Sequence, residues 1–331
     1  MPASSRESET LAPRGARRSL RRRLAPPTLV LAYHRVVPSI REDVNQLCVS
    51  VENFAEHLRW LRAVCRVIGP REFLGQLGRG SLAGVALDGG RPRVLMTFDD
   101  GYADNVHHAL PVLTESEAQA ILFVTSGAVD STEAFWWDAL EQIVYRGRPP
   151  PSGWWLADVA VPADLPPAEA YRALHRLVLP LDAPSRAAAL AQLADQAGVT
   201  PHADEESRPV TRRELLAWAA AGCDVGAHTR THVQLSAQRD YQVVAEVVGA
   251  RRDLQQLTGL TIDTLAYPFG TGGDFDERAE AAARAAGYRC AFANRAGNAR
   301  WARNRYALPR YLVRNWSGPE FAARFMTWCP P

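Results

Sequence analysis

Two aspartates stand side by side in Thr97-Phe98-Asp99-Asp100-Gly101-Tyr102, directly after the apolar run Val94-Leu95-Met96. Neighbouring carboxylates at the end of a buried strand repel each other, and desolvation disfavours ionising both. Either a cation lies beside them, or one holds a proton, or the pair forms a plain turn open to solvent. Much later in the chain, His228 and His232 are spaced four apart. On a helical turn that spacing sends both imidazoles to one side, as metal ligation requires; ordinary structural histidines also occur at it. Two imidazoles and one carboxylate make a zinc-type set with positions left open for water and substrate. The second carboxylate is then free to act as a base.

The elements around these residues bring them to one place. Leu29 to Tyr33 reads as a first buried strand ending at His34, and Val94 to Phe98 as another. Ser50 caps a predicted helix to about Val64, and a helix from about Ala103 to Glu117 precedes the strand Ala120 to Val124. From about Phe135 to Arg208 the strand–helix rhythm is interrupted by a predicted helical insertion, with Pro149 to Pro151 and Trp154-Trp155 in a loop. Its aromatic residues either stack on a sugar or form the insertion's own core. The capping box Thr211 to Glu214 restarts the alternation, and a short strand then delivers His228. Ser236 is expected to cap a long helix, and Asp274 to Glu277 to form another capping box. Last come strands near Thr264 to Tyr267, Tyr288 to Ala293 and Arg310 to Val313. Seven to eight parallel strands separated mostly by helices predict a distorted (β/α) barrel, in which all strand C-termini open on one rim. No G-x-G-x-x-G follows the first strand, which argues against a dinucleotide-binding unit.

Composition excludes several chemistries. All 38 basic residues are arginine, so no lysine Schiff base or P-loop lysine exists. A net charge of +2 does not point to a nucleic-acid partner. Cys48, Cys65, Cys223, Cys290 and Cys329 are scattered, without a C-x-x-C pair, and read as free thiols. Residues 1–27, with the cluster Arg17 to Arg23, read as a disordered basic tail, and 28–331 as the barrel domain with its insertion at about 135–208. The apolar run after the cluster is too short for a signal peptide, and no run approaches the ~18 apolar residues of a membrane span. A cytoplasmic protein is expected.

The chain resembles the polysaccharide deacetylases of carbohydrate esterase family four, which share the chitooligosaccharide deacetylase homology domain. The resemblance rests on Thr97-Phe98-Asp99-Asp100-Gly101, on His228-Thr229-Arg230-Thr231-His232 and on Tyr267-Pro268-Phe269-Gly270. Tyr33-His34-Arg35-Val36 and Leu308-Pro309-Arg310 look like the subgroup associated with bacterial exopolysaccharide and poly-N-acetylglucosamine pathways. The resemblance implies a divalent metal on Asp100, His228 and His232, zinc first, with cobalt or nickel as alternatives. It implies Asp99 as general base, the Phe269 N–H as oxyanion donor, and an N-acetylated glycan as substrate.

Three departures matter. The family's base-orienting arginine aligns with Ala266, and Arg310, in the last strand, is a candidate replacement or an ordinary surface arginine. The family's late acid histidine is missing, because no histidine follows His232; His34 is a candidate substitute or a structural residue. Trp316 and the apolar residues before it are candidates for the acetyl pocket. The other histidines, His57, His107, His108, His175 and His202, show no chemistry in sequence. The departures also motivate a weakly active or inactive glycan-binding protein on the same fold. A third reading has the same centre cleaving an amide or ester that is not on a sugar.

Overall fold

The computed structural model describes residues 27–40, 43–78, 90–205 and 207–329. The predicted basic tail lies outside them, apart from Pro27. Among the described residues the strands are β1 (Thr28–Tyr33), β2 (Arg35–Val37), β3 (Cys48–Ser50), β4 (Arg66–Val67), β5 (Arg93–Phe98), β6 (Ala120–Val124), β7 (Trp154–Leu156), β8 (Val159–Val161), β9 (Asp224–Ala227), β10 (Thr264–Ala266), β11 (Cys290–Phe292) and β12 (Tyr311–Leu312).

Eight strands make one parallel sheet in the order β11-β10-β9-β6-β5-β1-β12, with β4 paired to the start of β5. Side chains alternate between the two faces of a strand. Leu29, Leu31 and Tyr33 of β1, Val94, Met96 and Phe98 of β5, and Leu122 and Val124 of β6 join one large core against the surrounding helices. Their neighbours Val30, Leu95, Ile121, Phe123, Ala266 and Phe292 fill the concave interior. The sheet is therefore apolar on both faces, and it curls into the expected distorted (β/α) barrel.

One segment joins the two edges of the curl. The Leu308 N–H donates to the Ala291 carbonyl at 2.9 Å, and the Ala293 N–H donates to the Leu308 carbonyl at 2.8 Å. From Tyr311 the same segment pairs as β12 with Leu31 and Ala32 of β1. Arg310 stands where the chain crosses from one edge to the other, immediately before β12 rather than inside the last strand.

The insertion follows β6. Helices Trp136–Arg146, Pro167–Val178 and Ala183–Ala197 pack around their own core, which includes Leu140, Tyr171, Leu174 and Leu193. Trp154-Trp155 is not in a loop: it belongs to the antiparallel hairpin β7–β8, with Trp154 inside that core and Trp155 46% exposed. Two predicted helix starts also move. The long helix begins at Asp240, because the Ser236 hydroxyl donates instead to the Gly273 carbonyl. The next is capped by Asp276, because Asp274 accepts from the Thr271 N–H. Thr211 and Glu214 form the predicted capping box. All five cysteines are free. Among the described residues no helix is long and apolar enough to cross a membrane.

Candidate active site

The inward parity of the strands continues past their ends. On β5 it runs Leu95, Thr97, Asp99; on β1, Val30, Ala32, His34; past β9 it reaches His228; past β11, Asn294; and across the closing segment, Leu308, Arg310, Leu312. These side chains meet over the barrel mouth because every strand is parallel. Asp100 has the wrong parity. It escapes the alternation because it and Gly101 adopt left-handed backbone, φ 73° and 89°. A Cβ on Gly101 would lie 3.1 Å from Val124, so the turn needs glycine there for room as well as for conformation.

His228 and His232 are not on a helical turn. Thr229 and His232 both take positive φ, 62° and 54°, and fold the loop back so that the rings converge. Phe269 adds another left-handed residue at the mouth, φ 59°. Such backbone costs of order 1–3 kcal/mol per residue and clusters where function demands it.

Asp100 Oδ1 lies 3.4 Å from His228 Nε2 and 3.3 Å from His232 Nε2. The three donor atoms are within 4.8 Å of one another, and all three residues are buried. His228 Nδ1 donates to the Ala266 carbonyl at 2.8 Å, which leaves the Nε2 lone pair facing the carboxylate. Asp100 Oδ2 is buried with no partner among the described residues. Lone pairs and a carboxylate converging in a dry site are the donor set of a zinc-type cation, and these residues fit one. Burial raises the Asp100 pKa, but the two imidazoles outweigh it and hold the group well below the ordinary carboxylate range. Burial pushes His232 down to about 4, against the pull of Asp100.

Asp99 is fully buried, and Arg310 grips it at both oxygens, 2.6 Å each. Arg310 is itself 1% exposed, so it is no surface arginine. It also donates to Thr97 Oγ1 at 3.1 Å and to Asn294 Oδ1 at 2.7 Å. Burial raises the Asp99 pKa, and the guanidinium more than reverses it, so the net shift is downward. His34 Nε2 is 3.9 Å from Asp99 Oδ2, too far for a direct hydrogen bond, and its Nδ1 is buried with no partner among the described residues. Desolvation lowers the His34 pKa despite the two nearby aspartates.

The cleft measures about 240 Å³ and is lined by His34, Asp100, His175, His228, His232 and Phe269, among others. Among the described residues no group accepts the Phe269 N–H, while the Phe269 carbonyl accepts from Asn294 at 2.9 Å. Leu312 lines the cleft, but Trp316 does not: it packs beside Trp328, under Arg324. A larger cavity of about 410 Å³, around Arg35, Asp138 and Glu141, lies apart from the ligand cluster. His107 donates to the Glu214 carboxylate, and His57 donates to the Trp316 carbonyl; both are structural.

Sequence reasoning missed three residues here. Asn294 ties the arginine to the Phe269 loop, and its inward parity two residues beyond Phe292 was a readable signal. Arg186 reaches out of the insertion to the carbonyls of Thr231, at 2.6 Å, and His232, at 3.3 Å, with its guanidinium 4.7 Å from the Trp136 ring centre. His175 lines the cleft itself. Neither has a local sequence signal.

A mononuclear metal-type centre, paired with an arginine-held carboxylate on a curled parallel barrel, defines a hydrolase-like site. The chain belongs to the polysaccharide deacetylase family, whose model matches residues 86–149 and 188–291, just over half of it. Among solved structures, it is similar to the deacetylase PplD of Streptococcus pyogenes in complex with acetate: 15% identity over 93% of this chain and 100% of that one, TM-score 0.59. It is also similar to IcaB from Ammonifex degensii, at 23% identity over 90% and 97%, TM-score 0.58. A de-N-acetylase from Aggregatibacter actinomycetemcomitans matches at 16% identity over 90% and 99%, TM-score 0.58. At these identities the likeness is one of fold. No curated protein matches the chain.

Proposed function

We propose that this protein is a metal-dependent hydrolase that removes N-acetyl groups from an N-acetylated sugar polymer or oligomer. The observation that carries the reading is the two-point Arg310–Asp99 pair set beside the Asp100–His228–His232 cluster. Family membership supports the substrate class. Asp100, His228 and His232 would hold the cation; the donor set suits zinc, with cobalt or nickel as alternatives. When bound, the cation supplies a Lewis acid for the acetamide carbonyl and makes water easier to deprotonate.

The protein's own groups do the rest. Asp99, kept ionised and aimed by Arg310, takes a proton from the attacking water. The free Phe269 N–H faces the oxygen on which negative charge develops. The proton that Asp99 has taken passes to His34, whose Nε2 lies 3.9 Å from Asp99 Oδ2, and from there to the sugar nitrogen as the C–N bond breaks, and acetate and a free amine leave. The glycan-binding alternative rests on the missing arginine at 266 and the missing late histidine; Arg310 supplies a guanidinium to Asp99, which answers the first.

The test is acetate release from N-acetylglucosamine oligomers, before and after chelation and with zinc restored. Release that stops on chelation and returns with zinc is expected. Release indifferent to the chelator would sink the metal dependence. Binding without any release would leave the glycan-binding reading in its place.

A further inference from the structure

Resting on that reading, we infer that His175, carried by the insertion, is the residue through which the enzyme recognises the sugar that bears the acetamide, by a hydrogen bond from its imidazole to a ring hydroxyl. His175 lies on helix Pro167–Val178 and lines the same cleft as Asp100, His228 and His232. Its ring packs against aromatic neighbours: Trp136 at 5.2 Å, Tyr171 at 5.7 Å and Phe269 at 6.3 Å between centroids. Among the described residues, none hydrogen-bonds to its ring nitrogens. Of the other cleft histidines, His228 is fixed by a carbonyl, His232 faces Asp100, and His34 lies beside Asp99.

A polar ring packed among aromatic neighbours, with no hydrogen-bond partner among the described residues, has its hydrogen-bonding capacity directed at whatever enters the cleft. Burial, with help from Arg186, pushes its pKa down to about 4. At neutral pH it is an uncharged donor and acceptor, suited to a neutral hydroxyl rather than to an anion. The family match passes over residues 150–187, which contain His175. The metal-type cluster is thus drawn from the matched part of the chain, and the recognition group from the unmatched part.

The test uses the full-length, zinc-loaded protein and an N-acetylglucosamine oligomer. Three variants are compared: His175→Ala, His175→Phe, which keeps the ring contacts, and His175→Gln, which keeps a neutral hydrogen bond. KM is measured in each, and oligomer Kd by calorimetry in the same variants combined with Asp99→Asn. The expected result is a ten- to hundredfold rise in KM and Kd for the Ala and Phe variants, a rise of under fivefold for Gln, and equal zinc content in all. Full affinity in His175→Phe would overturn the proposal, because packing alone would then suffice. So would a loss of zinc or of kcat without a change in KM in the Phe and Gln variants. A wild-type protein that neither binds nor deacetylates the oligomer would overturn the parent reading before any substitution is made.

Discussion

Arg310 and Asp99 meet across 211 residues of chain in a two-point ion pair, each guanidinium nitrogen 2.6 Å from its own carboxylate oxygen. Both are buried, so each charge depends on the other. Arg310→Gln should therefore cost about 3–5 kcal/mol of stability, measured by urea unfolding. The pH dependence has a definite sign. The Asp99 pKa is lowered in the fold, so its ionised form stabilises the protein above the ordinary carboxylate range, and that stability is lost as pH falls through the lowered value. Without Arg310 the folded pKa rises, and the acid limb of the kcat/KM profile moves to higher pH. An unmoved limb would remove Arg310 from the role of holding the base.

The two adjacent aspartates should separate cleanly. Asp99→Asn is expected to lower kcat by about 10²–10⁴-fold with zinc content intact. Asp100→Asn is expected to lose zinc as well as activity, because its Oδ1 faces both imidazoles. Metal analysis beside acetate release reads both outcomes, and full activity in Asp99→Asn would end its assignment as the base.

His34 should matter most where the leaving group is poor. An amide nitrogen needs a proton to depart, whereas an aryl ester leaves readily without one. His34→Gln should lower kcat on the N-acetyl oligomer far more than on an aryl acetate. Equal losses on the two substrates would make His34 a structural residue of the cleft wall.

Arg186 tests whether the insertion supports the metal-type loop. It bonds two successive carbonyls, Thr231 and His232, and the second belongs to a left-handed ligand residue. Arg186→Met should weaken zinc binding about 10–100-fold, the usual effect of removing an outer partner of a ligand. Competition with a chelating dye measures this, and unchanged affinity would leave Arg186 as a packing residue.

Much of the site was legible because strand alternation is simple. Asp99 lies on the inward parity of its strand, His34 on that of β1, and His228 and Arg310 follow the same rule. Two features were hidden. The convergence of His228 and His232 was expected from a helical turn, but the loop achieves it with left-handed Thr229 and His232, which spacing does not encode. Arg186 and His175 sit on amphipathic helices whose pattern says only which face is buried. Their reach into the site is set by how the insertion docks on the barrel, a tertiary fact. The shifts of the helix starts from Ser236 to Asp240 and from Asp274 to Asp276 have a similar origin: each earlier side chain found a partner outside the helix.

The crossing segment that joins the sheet edges also sets a clock. During synthesis Asp99 emerges with 211 residues still to be added before Arg310 exists. At about 5–20 residues per second, that is roughly ten to forty seconds in which the acid has no counter-charge. On the proposed reading, a nascent chain therefore carries no armed base: the last stave to be made both shuts the barrel and brings Asp99 its counter-charge.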